Sequence, residues 1–170
     1  MPSRTLSNND IASFTDLYQK VAGPGSVTSA VIAGHLTIEF LLRKLVSQYD
    51  TKLQSLADDL NHARLVALNR EIGTISASQA AVLLQINQLR NKLAHQISYV
   101  PSIAELKVIF DAAAAAFTDL TDGIEQGQGE LKKATAVEEL EQWVLPELFI
   151  QVSYDLHHEY VDRGGDEELF

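Results

Sequence analysis

Proline is rare in this chain, and its spacing limits the folds that the chain can adopt. The four prolines stand at positions 2, 24, 101 and 146, so the long stretches between them carry no helix breaker. Within these stretches apolar residues recur at three- and four-residue steps, the period of an amphipathic helix. Runs of β-branched residues that alternate with polar ones are scarce. The sequence therefore predicts an all-α fold, built as a helical bundle.

The helical pattern divides into about five to six segments, the last of which is an additional C-terminal helical region. We expect helices over about 8–22, 26–50, 56–71, 77–98, 102–121 and 134–161. Ser26 is a suitable N-cap, and Ser102 with Glu105 has the spacing of a capping box. Gly73 lies just past the third helix, and the glycine-rich segment 122–133 is expected to be a loop.

The chain length suits one hydrophobic core. We therefore expect a single α-helical domain over residues 1–162, followed by a flexible acidic tail over 163–170. The first helix is expected to end at Gly23-Pro24-Gly25. Pro146 is expected either to kink the last helix or to open a new first turn.

Three features that the sequence lacks argue against whole classes of function. There is no cysteine, which excludes disulfides, thiolate nucleophiles and cysteine-type zinc sites. The longest apolar run, residues 27–42, is interrupted by Gly34, His35 and Glu39, and it is too short for a membrane span. The first ten residues lack the apolar core of a signal peptide. A cytoplasmic protein with no membrane partner is expected.

The formal net charge of −10 argues against non-specific nucleic-acid binding, but the charge is unevenly distributed. Residues 1–118 carry ten Lys or Arg and nine Asp or Glu, whereas residues 119–170 carry three and fourteen. The first part could form a basic cleft, or its cations could be solvated charges on helix surfaces. The cations concerned are Arg43, Lys44, Arg64, Arg70, Arg90 and Lys92.

The segment 89-LRNKLAH-95 places three polar side chains between leucines that would anchor the helix. Asn91 and His95 are four residues apart and share a helix face, whereas Arg90 lies about 140° from His95 around the axis. The segment is either an ordinary amphipathic helix or a site. Histidine suits acid–base catalysis near pH 7, and arginine binds phosphate. Such a trio could cleave RNA without a metal, through attack of the 2′-hydroxyl on the adjacent phosphate, and a two-fold axis would bring two trios together.

The stretch 83-LLQINQLRNKLAH-95 resembles the signature of the HEPN superfamily, small α-helical proteins with an R-x(4–6)-H motif. The residue after the arginine is commonly Asn, Asp or His in that family, and here it is Asn91. Residues 36–46 resemble the family's long second helix, which often carries an acidic residue. Residues 65–76 resemble the helix and turn ahead of the motif helix. The resemblance covers about residues 26–121.

The resemblance implies a metal-independent endoribonuclease that needs no cofactor and acts as a homodimer with a composite cleft. Arg90 and His95 would be catalytic, Asn91 would assist them, and Glu39 would be a supporting residue. Family members serve as toxins or anti-phage effectors, so RNA and an antitoxin or regulatory protein are the partners implied. In toxins that are paired with nucleotidyltransferase antitoxins, a tyrosine lies two residues after the motif histidine. This chain has Ile97 at that position.

Two other classes of function stay open. The first is a non-catalytic HEPN-like binding module or transcriptional regulator, as in the mannitol-operon repressor-like group. The second is a regulator whose acidic C-terminal region contacts a basic partner protein.

Further polar residues have simpler interpretations. His35 and Glu39 are four apart and form at most half a metal site, so we expect a buried His–Glu pair or a bond from Glu39 to the motif helix, with no metal. The cluster 154-YDLHHEY-160 is expected to be a solvated or interface face, because adjacent histidines diverge by about 100° on a helix. Trp143 is expected in the core or at a dimer contact.

Overall fold

The computed structural model describes residues 12–22, 26–96 and 99–170, and within them the chain forms eight α-helices and two short 3-10 helices. The α-helices are α1 (Phe14–Ala22), α2 (Val27–Tyr49), α3 (Gln54–Asp59), α4 (His62–Glu71), α5 (Ala77–His95), α6 (Ile103–Ala116), α7 (Gly123–Lys133) and α8 (Val144–Asp162). The 3-10 helices are Thr51–Leu53 and Val137–Glu139. The all-α prediction is confirmed, with more helices than the expected five to six.

Side-chain caps fix the starts of three helices where the sequence predicts them. The Ser26 hydroxyl accepts a hydrogen bond from the backbone N–H of Ser29 at 3.2 Å, at the start of α2. Capping boxes begin α5 at Ser76 and α6 at Ser102. In each box the side chain three residues on accepts from the cap's own N–H, so two otherwise unpaired donors are satisfied. Gly73 follows α4 with a φ of +76°, a conformation that favours glycine.

The predicted helix over 56–71 is in fact two helices, α3 and α4, with a break between them. Leu60 is extended, and Asn61 accepts a hydrogen bond from the N–H of Arg64 at 3.1 Å, which makes Asn61 the N-cap of α4. Because of this break, His62 is the first residue of α4.

The prediction of a loop over 122–133 is wrong, because these residues form α7. The glycines lower helix propensity, but they permit close packing. A Cβ atom on Gly127 would overlap the ring of Phe110, and Ile124 and Leu131 are fully buried. α6 ends earlier than predicted, at Ala116, because Phe117 is extended.

The remaining boundaries also differ in detail from the expected ones. α8 begins at Val144, so Pro146 lies in its first turn, where no helical N–H is lost. α1 begins at Phe14, later than expected. The predicted helical residues 8–11, the Gly23-Pro24-Gly25 terminator and Ile97 lie outside the described residues.

α2 lies at the centre of the bundle and packs against α1, α3, α4, α5 and α8. Its most extensive packing is against α8, where Gly34 leaves room for the fully buried ring of Phe149. The apolar side chains of all the helices join one hydrophobic cluster. In the part of the chain that the structure describes, no helix is both long and apolar enough to cross a membrane.

The segment 163–170, predicted as a flexible acidic tail, has specific contacts with the bundle. The carbonyl of Glu168 accepts a hydrogen bond from the N–H of Phe14 at 2.9 Å, and Leu169 forms an isolated antiparallel β-bridge with Ser13. The ring of Phe170 packs edge-on against Phe40, with 4.9 Å between ring centroids.

Candidate functional site

The motif helix α5 has one apolar face and one open face. Ile86 and Leu89 are buried and Leu93 is half-buried, as expected for the residues that anchor this helix to the core. Asn91 and His95 are exposed. The helix therefore presents these two polar residues outward, on the side that helical spacing predicts.

Arg90 and Asn91 meet at the rim of a pocket of about 250 Å³. Arg90 is half-buried, and its Nη1 donates a hydrogen bond to Asn91 Oδ1 at 3.1 Å. Glu39 lies in the same pocket. His95 is the last residue of α5 and is not part of the pocket lining. Within one chain the structure thus brings Arg90, Asn91 and Glu39 together and leaves His95 apart from them.

Three ionisable side chains from two helices line the inner part of this pocket. His35 and Glu39 come from α2, and His62 is the first residue of α4. All three are buried, with 3%, 4% and 3% of their surface exposed. The two imidazole rings stack, with 4.2 Å between their centroids. One potential ligand atom from each of the three residues lies within 4.8 Å of the others.

Each imidazole has a hydrogen-bond partner on α5. His62 Nε2 lies 3.1 Å from the backbone carbonyl of Leu83, and His35 Nε2 lies 3.0 Å from Asn87 Oδ1. Oxygens of this kind accept hydrogen bonds, so both Nε2 atoms carry the hydrogen.

The carboxylate of Glu39 lies between a histidine and an arginine. Its Oε1 is 3.6 Å from His62 Nδ1, and its Oε2 is 3.5 Å from Arg43 Nη1. Burial opposes ionisation of Glu39, but its contact with His62 and the nearby His35 and Arg43 lower its pKa below the ordinary value. Glu39 is therefore paired with His62 on α4, whereas the sequence predicts a pair with His35 or a bond to the motif helix.

His35 is held in its neutral form. Burial, followed by the proximity of His62, lowers the pKa of His35 to about 4, and Arg90 acts in the same direction. A neutral imidazole can act as a hydrogen-bond acceptor or as a metal ligand through its free nitrogen.

The cations proposed for a basic cleft have separate roles. Arg43 donates to the carbonyls of Ala57 and Leu60 at the break between α3 and α4. Lys44 lies over the ring of Phe40, and Lys92 forms an ion pair with Glu105, outside the pocket. Of the six, Arg90 alone is part of the pocket lining as the structure describes it.

The cluster at 154–160 is not the solvated or interface face that its sequence suggests. His157 is buried and stacks on Phe14 at a centroid distance of 4.0 Å, and Tyr160 is buried beside it. His158 is the exposed member. Trp143, expected in the core or at a dimer contact, is 38% exposed at the start of α8.

Two residues that the sequence does not single out, His62 and Asn87, complete the pocket. Asn87 is three residues before Arg90 and four before Asn91, so helical spacing alone could have placed it on the same face. His62 is harder to find. It faces the pocket because Asn61 begins a new helix, and an asparagine before a helical stretch is a start signal.

Comparison with protein-family models, with curated proteins and with solved structures finds no match for this chain.

Proposed function

We propose that this chain is a HEPN-like, metal-independent endoribonuclease, a toxin or anti-phage effector, whose site is completed by a second copy of the chain. One observation carries the proposal. The Arg90–Asn91 pair stands at the rim of a pocket, and Asn91 shares an open helix face with the exposed His95. A phosphate held by Arg90 would then be accessible to a histidine that approaches from outside.

Each residue has a role that follows from its chemistry. Arg90 binds the scissile phosphate and stabilises the charge that develops on it, since Arg90 lines an open pocket. Asn91 orients Arg90 through their hydrogen bond. His95 acts as general acid and base, taking the 2′-hydroxyl proton and returning a proton to the leaving 5′-oxygen. Glu39 supports the site through the charge balance of the pocket.

The outer surface of α5 suits a symmetric dimer. Leu84, Gln88, Asn91 and His95 are all exposed and follow one another at steps of four, three and four residues, which places them in one stripe. Leu84 is an apolar contact residue at one end of the stripe, and His95 is at the other. A two-fold axis that crosses the stripe between Asn91 and His95 would bring His95 of one protomer to the Arg90 of its partner.

RNA cleavage in EDTA by purified wild type, Arg90→Ala and His95→Ala tests the proposal. Wild type should cut, and each variant should lose at least about a hundredfold in rate, the usual contribution of one acid–base or charge-stabilising group. Lys132→Ala is the matched control, because it removes one exposed cation from α7, which does not pack on α5. Intact RNA with folded wild-type protein, or full activity in both variants, rejects the nuclease.

The alternative is a non-catalytic HEPN-like binding module or regulator. The separation of His95 from the Arg90 pocket favours it, because a single chain then has no exposed base beside the bound phosphate. Wild-type protein that binds RNA or a protein partner without cutting RNA would favour this function.

A further inference from the structure

We propose that His35, Glu39 and His62 form a binding site for one divalent first-row transition metal ion of the Zn²⁺ type. The proposal goes beyond the nuclease function, and no step of RNA cleavage depends on the ion. Two histidines and one carboxylate, with their ligand atoms within 4.8 Å of one another, make a three-ligand set of the kind that Zn²⁺ uses in proteins.

The hydrogen bonds to α5 leave one nitrogen of each histidine and the carboxylate of Glu39 as potential ligands. Both Nε2 atoms face acceptors on α5, so Nδ1 is the ring nitrogen that each histidine has left for an ion. Neither Nδ1 atom, nor Glu39 Oε2, has a hydrogen-bond partner among the residues that the structure describes, and all three atoms are buried. Unpaired buried donors and acceptors are costly, so a positive centre between them would stabilise the fold.

His62 and Glu39 are close to each other but are not hydrogen-bonded in this structure. A hydrogen on His62 Nδ1 would have to reach Glu39 Oε1 over 3.6 Å, which is beyond hydrogen-bond distance. A metal ion with bonds of about 2.0–2.1 Å requires the ligand atoms to move together by about 1 Å, a shift within reach of side-chain rotation.

The surroundings match those of a protein metal site. The second nitrogen of each histidine is bonded to a backbone carbonyl or a side-chain amide, the outer shell that fixes the tautomer of metal-binding histidines. The adjoining pocket leaves space for a fourth ligand from solvent. Two imidazole ligands favour Zn²⁺ and similar ions over Mg²⁺ and Ca²⁺, which prefer oxygen. Arg43 and Arg90 oppose a cation here, and an anionic fourth ligand would offset their charge.

The ion would connect three helices. Its ligands come from α2 and α4, and the partners of those ligands, Leu83 and Asn87, come from α5. Metal binding would therefore hold α5 in place beneath the Arg90–Asn91 pair. Its role is to stabilise the fold and not to take part in the chemistry.

Zn²⁺ titration of chelator-treated full-length protein by calorimetry tests the site, with Mg²⁺ as the comparison ion. Wild type should bind one Zn²⁺ per chain and no Mg²⁺. Glu39→Gln and His62→Gln should lose Zn²⁺ binding, and Asn87→Ala should weaken it by about 10- to 100-fold. His158→Gln is the matched control, since it removes an exposed histidine outside the pocket and should bind as wild type does.

Imidazole ¹⁵N spectra of wild-type protein provide a second measurement that needs no variant. Zn²⁺ should shift the Nδ1 signals of two histidines and leave the other three unchanged. The proposal is overturned if wild type binds no Zn²⁺, if His158→Gln loses as much affinity as His62→Gln, or if His62 is an imidazolium that Zn²⁺ does not shift. These results do not involve RNA, so they are independent of the fate of the nuclease proposal.

Discussion

Arg90 Nη1 donates a hydrogen bond to the side-chain oxygen of its neighbour Asn91, at 3.1 Å. Adjacent residues on a helix point about 100° apart, so the long arginine side chain must bend back to make this contact. The bond restricts the orientation of the guanidinium and uses one of its five N–H donors. The geometry of this pair, and not its charge alone, is therefore expected to matter for RNA cleavage.

Arg90→Lys tests the importance of that geometry. Lysine keeps the positive charge but lacks the planar fork that binds two phosphate oxygens at once. We expect kcat to fall by at least about tenfold, with a smaller change in KM, because the lost interaction is made mainly in the transition state. Steady-state kinetics on a short RNA measure both constants. A variant with wild-type kcat would show that charge alone is sufficient.

Mixing Arg90→Ala with His95→Ala protein tests the composite site. If each site combines Arg90 of one protomer with His95 of its partner, every mixed dimer contains one intact site. At equal concentrations about half of the dimers are mixed, so the mixture should recover about a quarter of wild-type activity. Each variant alone should remain inactive. No recovery after confirmed subunit exchange would place both residues of a site in the same chain.

Sequence reasoning found the exposed residues of the candidate site and two of its three inner residues, His35 and Glu39, but not His62. Arg90, Asn91 and His95 stand in one short segment, and the helical period is enough to assign their faces. The position of His62 depends on the break between α3 and α4 at Leu60, and no proline or glycine marks that break in the sequence. Contacts between α2 and α4 depend on the tertiary fold and cannot be inferred from the spacing of residues within one helix.

Gly34→Ala should destabilise the protein, although alanine is the better helix former. The added Cβ would overlap the ring of Phe149, which is fully buried and cannot move aside. Overpacking of this kind costs about 1–3 kcal/mol, more than the gain in helix propensity of about 1 kcal/mol. Urea unfolding monitored by circular dichroism gives the change in the free energy of unfolding.

Gly129→Ala is the matched control for that substitution. Gly129 is also helical, in α7, but an added Cβ would meet nothing within 4 Å. Helix propensity then acts alone, and the free energy of unfolding should rise by about 0.5–1 kcal/mol. The two substitutions should therefore have opposite signs. Equal effects would mean that α2 and α8 are not packed as closely as Gly34 indicates.

The same glycines explain why part of the fold could not be predicted. Periodicity and caps were sufficient for α2, α5 and α6, whose starts the structure confirms. The sequence does not predict α7, because a glycine-rich segment is typical of a loop. Gly127 is required by contact with Phe110, and this contact depends on how α6 and α7 pack, which a single sequence does not state.

The side chain of Glu105 joins three groups next to the end of the motif helix. Its Oε1 accepts from Lys92 Nζ at 2.7 Å and from the Tyr99 hydroxyl at 2.9 Å, and its Oε2 accepts from the N–H of Ser102 at 3.0 Å. The ion pair with Lys92, followed by the Ser102 cap bond, lowers the pKa of Glu105 from 4.5 to about 2. Lys92 on α5 is thereby tied to the start of α6.

Glu105→Gln should therefore destabilise the protein in a way that depends on pH. The folded-state pKa lies below that of the unfolded chain, so the ionised carboxylate contributes stability above about pH 4.5 and loses it as the pH falls toward 2. The side chain is 37% exposed, and solvent screening limits the difference to about 1 kcal/mol. Urea unfolding of wild type and Glu105→Gln gives the difference in their free energies of unfolding. This difference should be constant from pH 7 to about pH 4.5 and should shrink as the pH falls toward 2. The Lys92→Met background removes the largest cause of the pKa shift. There, the difference in the free energy of unfolding that Glu105→Gln causes should vanish at a higher pH. A difference that does not depend on pH would contradict the role of the carboxylate charge.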